Sequence, residues 1–158
     1  MVQIDLSGKV ALVFGVANKN SMAWGITQKL FEAGCKIVLA YQNERFEAEV
    51  QELSQLINCP LTIKCDVRRE KDIFKAFEVI REKIGSLDFL IHSIAFAPLR
   101  ELKGKFQETS REGFLETLEV SAYSLIPLSR EFVKLSRPEG SIVTLTFQGS
   151  ERVFPSYK

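Results

Sequence analysis

The strongest constraint in this chain is an alternation. Short apolar runs, "KVALVFGVA" at 9–17, "CKIVLAY" at 35–41, "LTIKCDV" at 61–67, "LDFLIHSIAFA" at 87–97 and "GSIVTLTF" at 140–147, are separated by longer segments of helical period. Each run is too short to span a membrane and too continuously apolar for a sheet with one wet face, so it reads as a strand covered on both sides. Strands of that kind joined by helices form βαβ units, and these build a parallel sheet.

The intervening segments carry matching signals. From Ser21 to Ala33, residues Trp24, Ile26, Thr27, Leu30 and Phe31 fall near i, i+3, i+4, i+7, and Gly34 provides the stop. "ERFEAEVQELSQLI" at 44–57 sets Phe46, Val50, Leu53 and Ile57 on one face, and a third helix over 70–84 buries Ile73, Phe77 and Ile80 ahead of Gly85. A long helix over 110–136 is expected next, kinked at Pro127 and terminated by Pro138. Five strands and four helices in alternation predict a doubly wound α/β (Rossmann) fold with strand order 3-2-1-4-5. At 158 residues and 46% hydrophobic content, the chain has room for one domain, 1–158, with a real core.

Charge removes some function classes. With 21 basic and 20 acidic side chains, net +1, nothing draws the chain electrostatically to nucleic acid or an anionic membrane. Cys35, Cys59 and Cys65 are odd in number and lack CxxC spacing, which argues against a disulfide frame or a metal site and for a reducing, cytoplasmic compartment. The apolar run from Val10 to Ala17 follows Asp5 and Lys9 and lacks a cleavage-like tail, so it reads as a buried strand and not a signal segment.

Chemistry concentrates where strands end. Gly15 closes the first strand and permits a sharp turn, after which the amides opening the next helix favour an anion such as pyrophosphate. Gly25 is expected to let that helix pack closely on the sheet, although the segment is not GxGxxG. At the end of the second strand, where many dinucleotide folds carry an acid for the ribose, stands Gln42. It can hydrogen-bond a ribose hydroxyl without repelling a 2′-phosphate, with Arg45 as an alternative phosphate partner or a solvated residue. Asp66 and Val67 end the third strand and "HSIAFAP" the fourth, so four strand ends converge on one crevice, the ligand position of this fold. His92 and Cys65 read as core fillers.

In this order, the segments "SGKVALVFGVANKNSMAWGI", "LAYQNER", "CDV", "LDFLIHSIAFAP", "TSREGFLETLEVSAYSL" and "GSIVTLTFQGSERVFPSY" resemble the NADH-dependent enoyl-acyl carrier protein reductases, a divergent branch of the short-chain dehydrogenases. The resemblance implies Gly15, Ser21 and Met22 as pyrophosphate and ribose contacts and Gln42 on the adenosine side. It further implies Asp66 and Val67 beside adenine, Ser93 and Ile94 along the nicotinamide-ribose path, and Ala97 as a backbone contact to substrate. Tyr157 matches the catalytic tyrosine. Phe147 stands where the family often has a second tyrosine and is expected to line the pocket.

The implied activity is reduction of trans-2-enoyl thioesters on acyl carrier protein with NADH, the choice against NADPH remaining open at Gln42. A homotetramer and a cytoplasmic location are implied too. The family's lysine, two helical turns beyond the tyrosine, would fall past residue 158, and Lys158 cannot replace it because a neighbouring residue points about 100° away. The chain is therefore expected to be C-terminally incomplete, with further strands and helices of the family absent. Two other readings stay open: a nucleotide-binding or interaction fragment without catalysis, and a short-chain dehydrogenase acting on a carbonyl.

Overall fold

The computed structural model describes residues 4–154. Strands β1 (Val10–Phe14), β2 (Lys36–Tyr41), β3 (Leu61–Lys64), β4 (Leu87–His92) and β5 (Ser136–Thr144) form one parallel sheet in the order β3-β2-β1-β4-β5, as the alternation requires. Every residue of β1 is buried, which is why this strand is apolar without a break. Val10, Leu12 and Phe14 enter one core with Val38 and Ala40, while Ala11 and Val13 enter the other with Ile37, Leu39 and Tyr41.

Helices α1 (Met22–Glu32) and α2 (Glu44–Leu56) close the second core through Ala23, Trp24, Val50 and Leu53. On the opposite face, α3 (Glu70–Lys83) contributes Ile73, Phe77 and Ile80. Each such fully buried aliphatic or aromatic side chain stabilises the fold by about 1.5–3 kcal/mol.

Three expectations are corrected. The strands are shorter than the apolar runs: residues 15–17, 65–67 and 93–97 leave the ladder and become loops at the C-terminal edge of the sheet. The long helix over 110–136 is two helices, α4 (Arg111–Leu118) and α5 (Leu125–Leu135), joined by a π-helical turn, Glu119–Tyr123. Pro127 falls just after this turn, where the hydrogen-bond ladder changes register, and the Ser124 hydroxyl donates to the Val120 carbonyl at 2.7 Å. Leu128 and Phe132 of α5 then complete the first core.

The last strand, expected from Gly140, begins at Ser136. Leu87 pairs with Ser136 and Phe89 with Ser141, so residues 137–140 bow out of the ladder. Pro138 lies in this bow, where its missing N–H breaks no pairing. From the same bow Arg137 reaches Asp88 at 2.8 Å, the Gly8 carbonyl at 2.9 Å and Ser86 at 3.0 Å. Asp88 is almost wholly buried and also accepts from the Val10 amide at 2.9 Å and pairs with Lys9 at 3.2 Å. Burial pushes its carboxyl up, but the amide and the two cations outweigh it and hold the group below the usual carboxylate value.

Gly25 corrects a fourth expectation. It lies on the exposed side of α1, and a Cβ there would meet nothing within 4 Å among the described residues, so close packing between them does not explain it.

Candidate functional site

At the C-terminal edge the loops after β1 and β4 touch. Gly15 has φ +101°, and a Cβ on it would overlap the Ser93 carbonyl far inside the 3.0 Å that real Cβ contacts respect. The Ser93 amide in turn donates to the Phe14 carbonyl at 3.3 Å. Glycine is required here on both counts, backbone conformation and space.

Around this contact lies a cavity of about 230 Å³. The β1 end supplies Phe14, Gly15 and Val16, the β2 end supplies Tyr41 and Gln42, the β3 end supplies Cys65 and Val67, and the β4 end supplies Ser93, Ile94 and Phe96. Phe46 from α2 and Val120 from the π turn complete the wall. Such an apolar slot with polar groups at its rim suits a flat heterocycle or a sugar, while a larger ligand would continue across the open strand ends. Burial pushes the Cys65 thiol up to about 12, with the Asp72 and Asp66 charges adding to the shift, so Cys65 acts as a neutral wall residue.

The structure thus brings together Gly15, Gln42, Val67, Ser93 and Ile94, with Asp66 directly beside them. Asp66 is buried and its carboxylate is gripped by Arg68: Nη2 donates at 2.7 Å, Nε at 3.1 and 3.2 Å to the two oxygens, and the backbone amide at 3.2 Å. Burial alone would raise this carboxyl; Arg68, helped by Gln42, brings it below its ordinary value. The Arg68 guanidinium also reaches Glu116 of α4 at 3.7 Å, which ties the β3 loop to that helix.

Other expected residues stand apart from the cavity wall. The Ser21 hydroxyl donates to the Asn18 carbonyl at 2.6 Å and does not cap α1, and Met22 is 71% exposed on the outer face. Ala97 lies half-buried just past Phe96. Phe147 is exposed beyond β5, its ring 5.0 Å from that of Phe154. Tyr157 lies outside the described residues.

His92 is more than filler. It is fully buried at the end of β4, with Nε2 2.8 Å from Ser124 Oγ and Nδ1 3.0 Å from Thr144 Oγ1. Since the Ser124 hydroxyl donates to Val120, it accepts from His92, which assigns the proton to Nε2 and makes Nδ1 the acceptor for Thr144. Burial holds the imidazole below its usual pKa and therefore neutral. One ring thus links β4, β5 and the π turn. Arg68, Ser121, Ser124 and Thr144 escape a reading by spacing because their partners, except Asp66 for Arg68 and Val120 for Ser124, lie 25 to 52 residues away in the chain.

Residues 15–158 match the family model described as enoyl-(acyl carrier protein) reductase. The chain belongs to this family. A curated enoyl-[acyl-carrier-protein] reductase [NADH] of Bacillus cereus is 42% identical over 154 residues, which is 96% of this chain and 60% of the relative. Among solved structures, the reductase of Anaplasma phagocytophilum in complex with NAD superposes with TM-score 0.90 at 36% identity, over 96% of this chain and 58% of that one. The Bacillus cereus reductase with NADP+ and indole naphthyridinone gives TM-score 0.93 at 40% identity, over 99% and 61%. The chain therefore spans about 60% of the length of the enoyl reductases it matches.

Proposed function

We propose that this chain carries the cofactor half of an NADH-dependent enoyl-acyl carrier protein reductase, which reduces trans-2-enoyl thioesters in fatty-acid elongation. The observation that carries the reading is the Gly15–Ser93 closure at the mouth of the cavity: it is a cradle that any side chain would fill, set at the strand ends of a chain that matches this family throughout.

The residues fit a dinucleotide. Gln42, Asp66 and Val67 would take the adenosine end, Gly15 lets the backbone approach the phosphates, and Ser93 and Ile94 would flank the nicotinamide ribose. Ser21 and Met22 open α1, whose first amides supply donors to the same anion, and Ala97 would meet the substrate through its backbone. When bound, NADH supplies the reducing equivalent for the β-carbon of the enoyl thioester.

The chain's own part is to orient and to stabilise charge. The phenol of Tyr157 would donate a hydrogen bond to the thioester oxygen as it becomes negative, with Phe147 lining the acyl side. Gln42 carries no charge against a 2′-phosphate, and the related Bacillus cereus structure holds NADP+, so NADPH is a second candidate cofactor. Phe114, Leu115 and Leu118 of α4 and Ile126 and Val133 of α5 are exposed, which supports a homo-oligomer, a tetramer in this reading, packed through these helices. Acyl carrier protein is the macromolecular partner and the cytoplasm the site of action; among the described residues no helix is long and apolar enough to cross a membrane.

Fluorescence titration of the 158-residue chain with NADH, followed by a turnover assay on a trans-2-enoyl thioester, tests the reading. Saturable binding of NADH is expected, and substrate-dependent oxidation of NADH by the same chain would extend the reading to catalysis. Binding without turnover would favour a nucleotide-binding unit, and turnover of a carbonyl substrate alone would move the chain to another branch of the dehydrogenases.

A further inference from the structure

The wall of the cavity between Ser93 and Phe96 has no regular secondary structure. At one end the Ser93 amide bonds the Phe14 carbonyl, and past the other end the Pro98 carbonyl accepts from Glu101. Between these points the Ser121 hydroxyl takes both polar groups of Phe96. It accepts from the Phe96 amide at 3.0 Å and donates to the Phe96 carbonyl at 3.0 Å.

Ser121 is aimed by the π turn. The turn is closed by an i→i+5 bond from the Ser124 amide to the Glu119 carbonyl at 3.0 Å. One extra residue in a helical turn rotates the helix on its N-terminal side by about 100° relative to the helix on its C-terminal side. Two serines three apart, which would share a face of an α-helix, can then serve different neighbours: Ser124 meets His92 under β4 and Ser121 meets Phe96 at the cavity. His92 fixes the turn from below, so its geometry does not depend on Ser121 alone.

We propose that Ser121 is a positioning residue of this site: its hydroxyl clamps the Phe96 peptide groups and so holds the 93–96 wall in the shape the cofactor meets, and the π turn supplies the aim. The consequence for the cofactor rests on the function proposed above; the clamp itself does not. A side chain in this role must donate and accept at once from a short stem, which threonine can do and alanine cannot.

Amide exchange at Phe96 reads the clamp, and NADH titration of the same 158-residue chain reads its consequence. In Ser121→Ala the Phe96 amide is expected to lose protection while Leu12 and Val38 in the sheet keep theirs. NADH affinity is expected to fall about threefold to tenfold, the effect of one net hydrogen bond. Ser121→Thr is expected to restore both. Unchanged exchange at Phe96 in the alanine variant overturns the clamp, and altered exchange with unchanged NADH affinity overturns its role in positioning. A loss of protection throughout the sheet that threonine fails to repair overturns the proposal in favour of a folding role. If the unaltered chain shows no NADH binding, the cofactor reading fails, and exchange at Phe96 still decides the clamp.

Discussion

Gly15→Ala should damage stability and ligand binding together, and the size of the effect follows from two features of one residue. At φ +101° an L side chain is strained by about 1–3 kcal/mol. The added methyl also overlaps the Ser93 carbonyl, backbone that cannot swing aside like a flexible side chain, and forced displacement in packed structure adds about 1–3 kcal/mol. The middle of the combined range is about 4 kcal/mol, a large share of the 5–15 kcal/mol available to a typical domain. With a urea dependence of about 2 kcal/mol per molar, the unfolding midpoint should drop by about 2 M. Gly25→Ala is the control, because its Cβ would meet nothing within 4 Å among the described residues and it sits on the exposed side of α1, where alanine should stabilise by about 0.5–1 kcal/mol. Opposite signs at the two glycines are expected in urea titrations, and NADH affinity should fall only for Gly15→Ala. A Gly15→Ala chain within about 0.5 kcal/mol of the parent would refute the inferred contact of the two loops.

His92 is the only histidine, so the pH dependence of stability near its ordinary pKa of 6.5 reports on one ring. Its folded pKa is lowered, so below pH 6.5 the unfolded chain binds a proton that the folded chain lacks; stability should fall as pH drops from 6.5 toward the folded value, by up to about 1.4 kcal/mol per pH unit, and His92→Gln should flatten that limb. Thr27→Val should stabilise by about 1 kcal/mol in thermal unfolding, since the Thr27 hydroxyl is buried with no hydrogen-bond partner among the described residues. Cys35 and Cys65, with thiols raised to about 11 and about 12, largely by burial, should resist alkylation in the folded chain and react once it is unfolded, as mass shifts will show.

What the sequence made legible was set by the range over which its signals act. The order of the sheet follows from alternation and handedness, both local rules, and each strand was found because a doubly covered strand must be apolar. The ends were not found, since "GVA" after Phe14 and "SIAF" after His92 stay apolar for a different reason: they line a cavity instead of a ladder. The π turn left no local mark either. "LEVSAYSL" keeps an ordinary helical pattern, and the departure becomes necessary only when Ser121 and Ser124 must face partners that the chain supplies from β4 and the loop after it.

The same distinction separates two kinds of site residue. Gly15 could be placed from sequence because a glycine after a strand has few uses and its neighbour in the fold follows from strand order. Asp66 could be placed at its strand end too, but not its state: the Arg68 grip uses both carboxylate oxygens, so a ligand would meet this acid as an oriented, already paired group and not as a free charge. In the proposed reading an adenine amine approaching it would share oxygens that Arg68 already holds, so Arg68 would tune the adenosine end without lining the cavity. Removing that guanidinium leaves a buried carboxylate whose pKa burial alone would raise. Arg68→Ala should therefore weaken NADH binding more at low pH than at high pH, whereas a solvated surface arginine would leave the affinity alike at both.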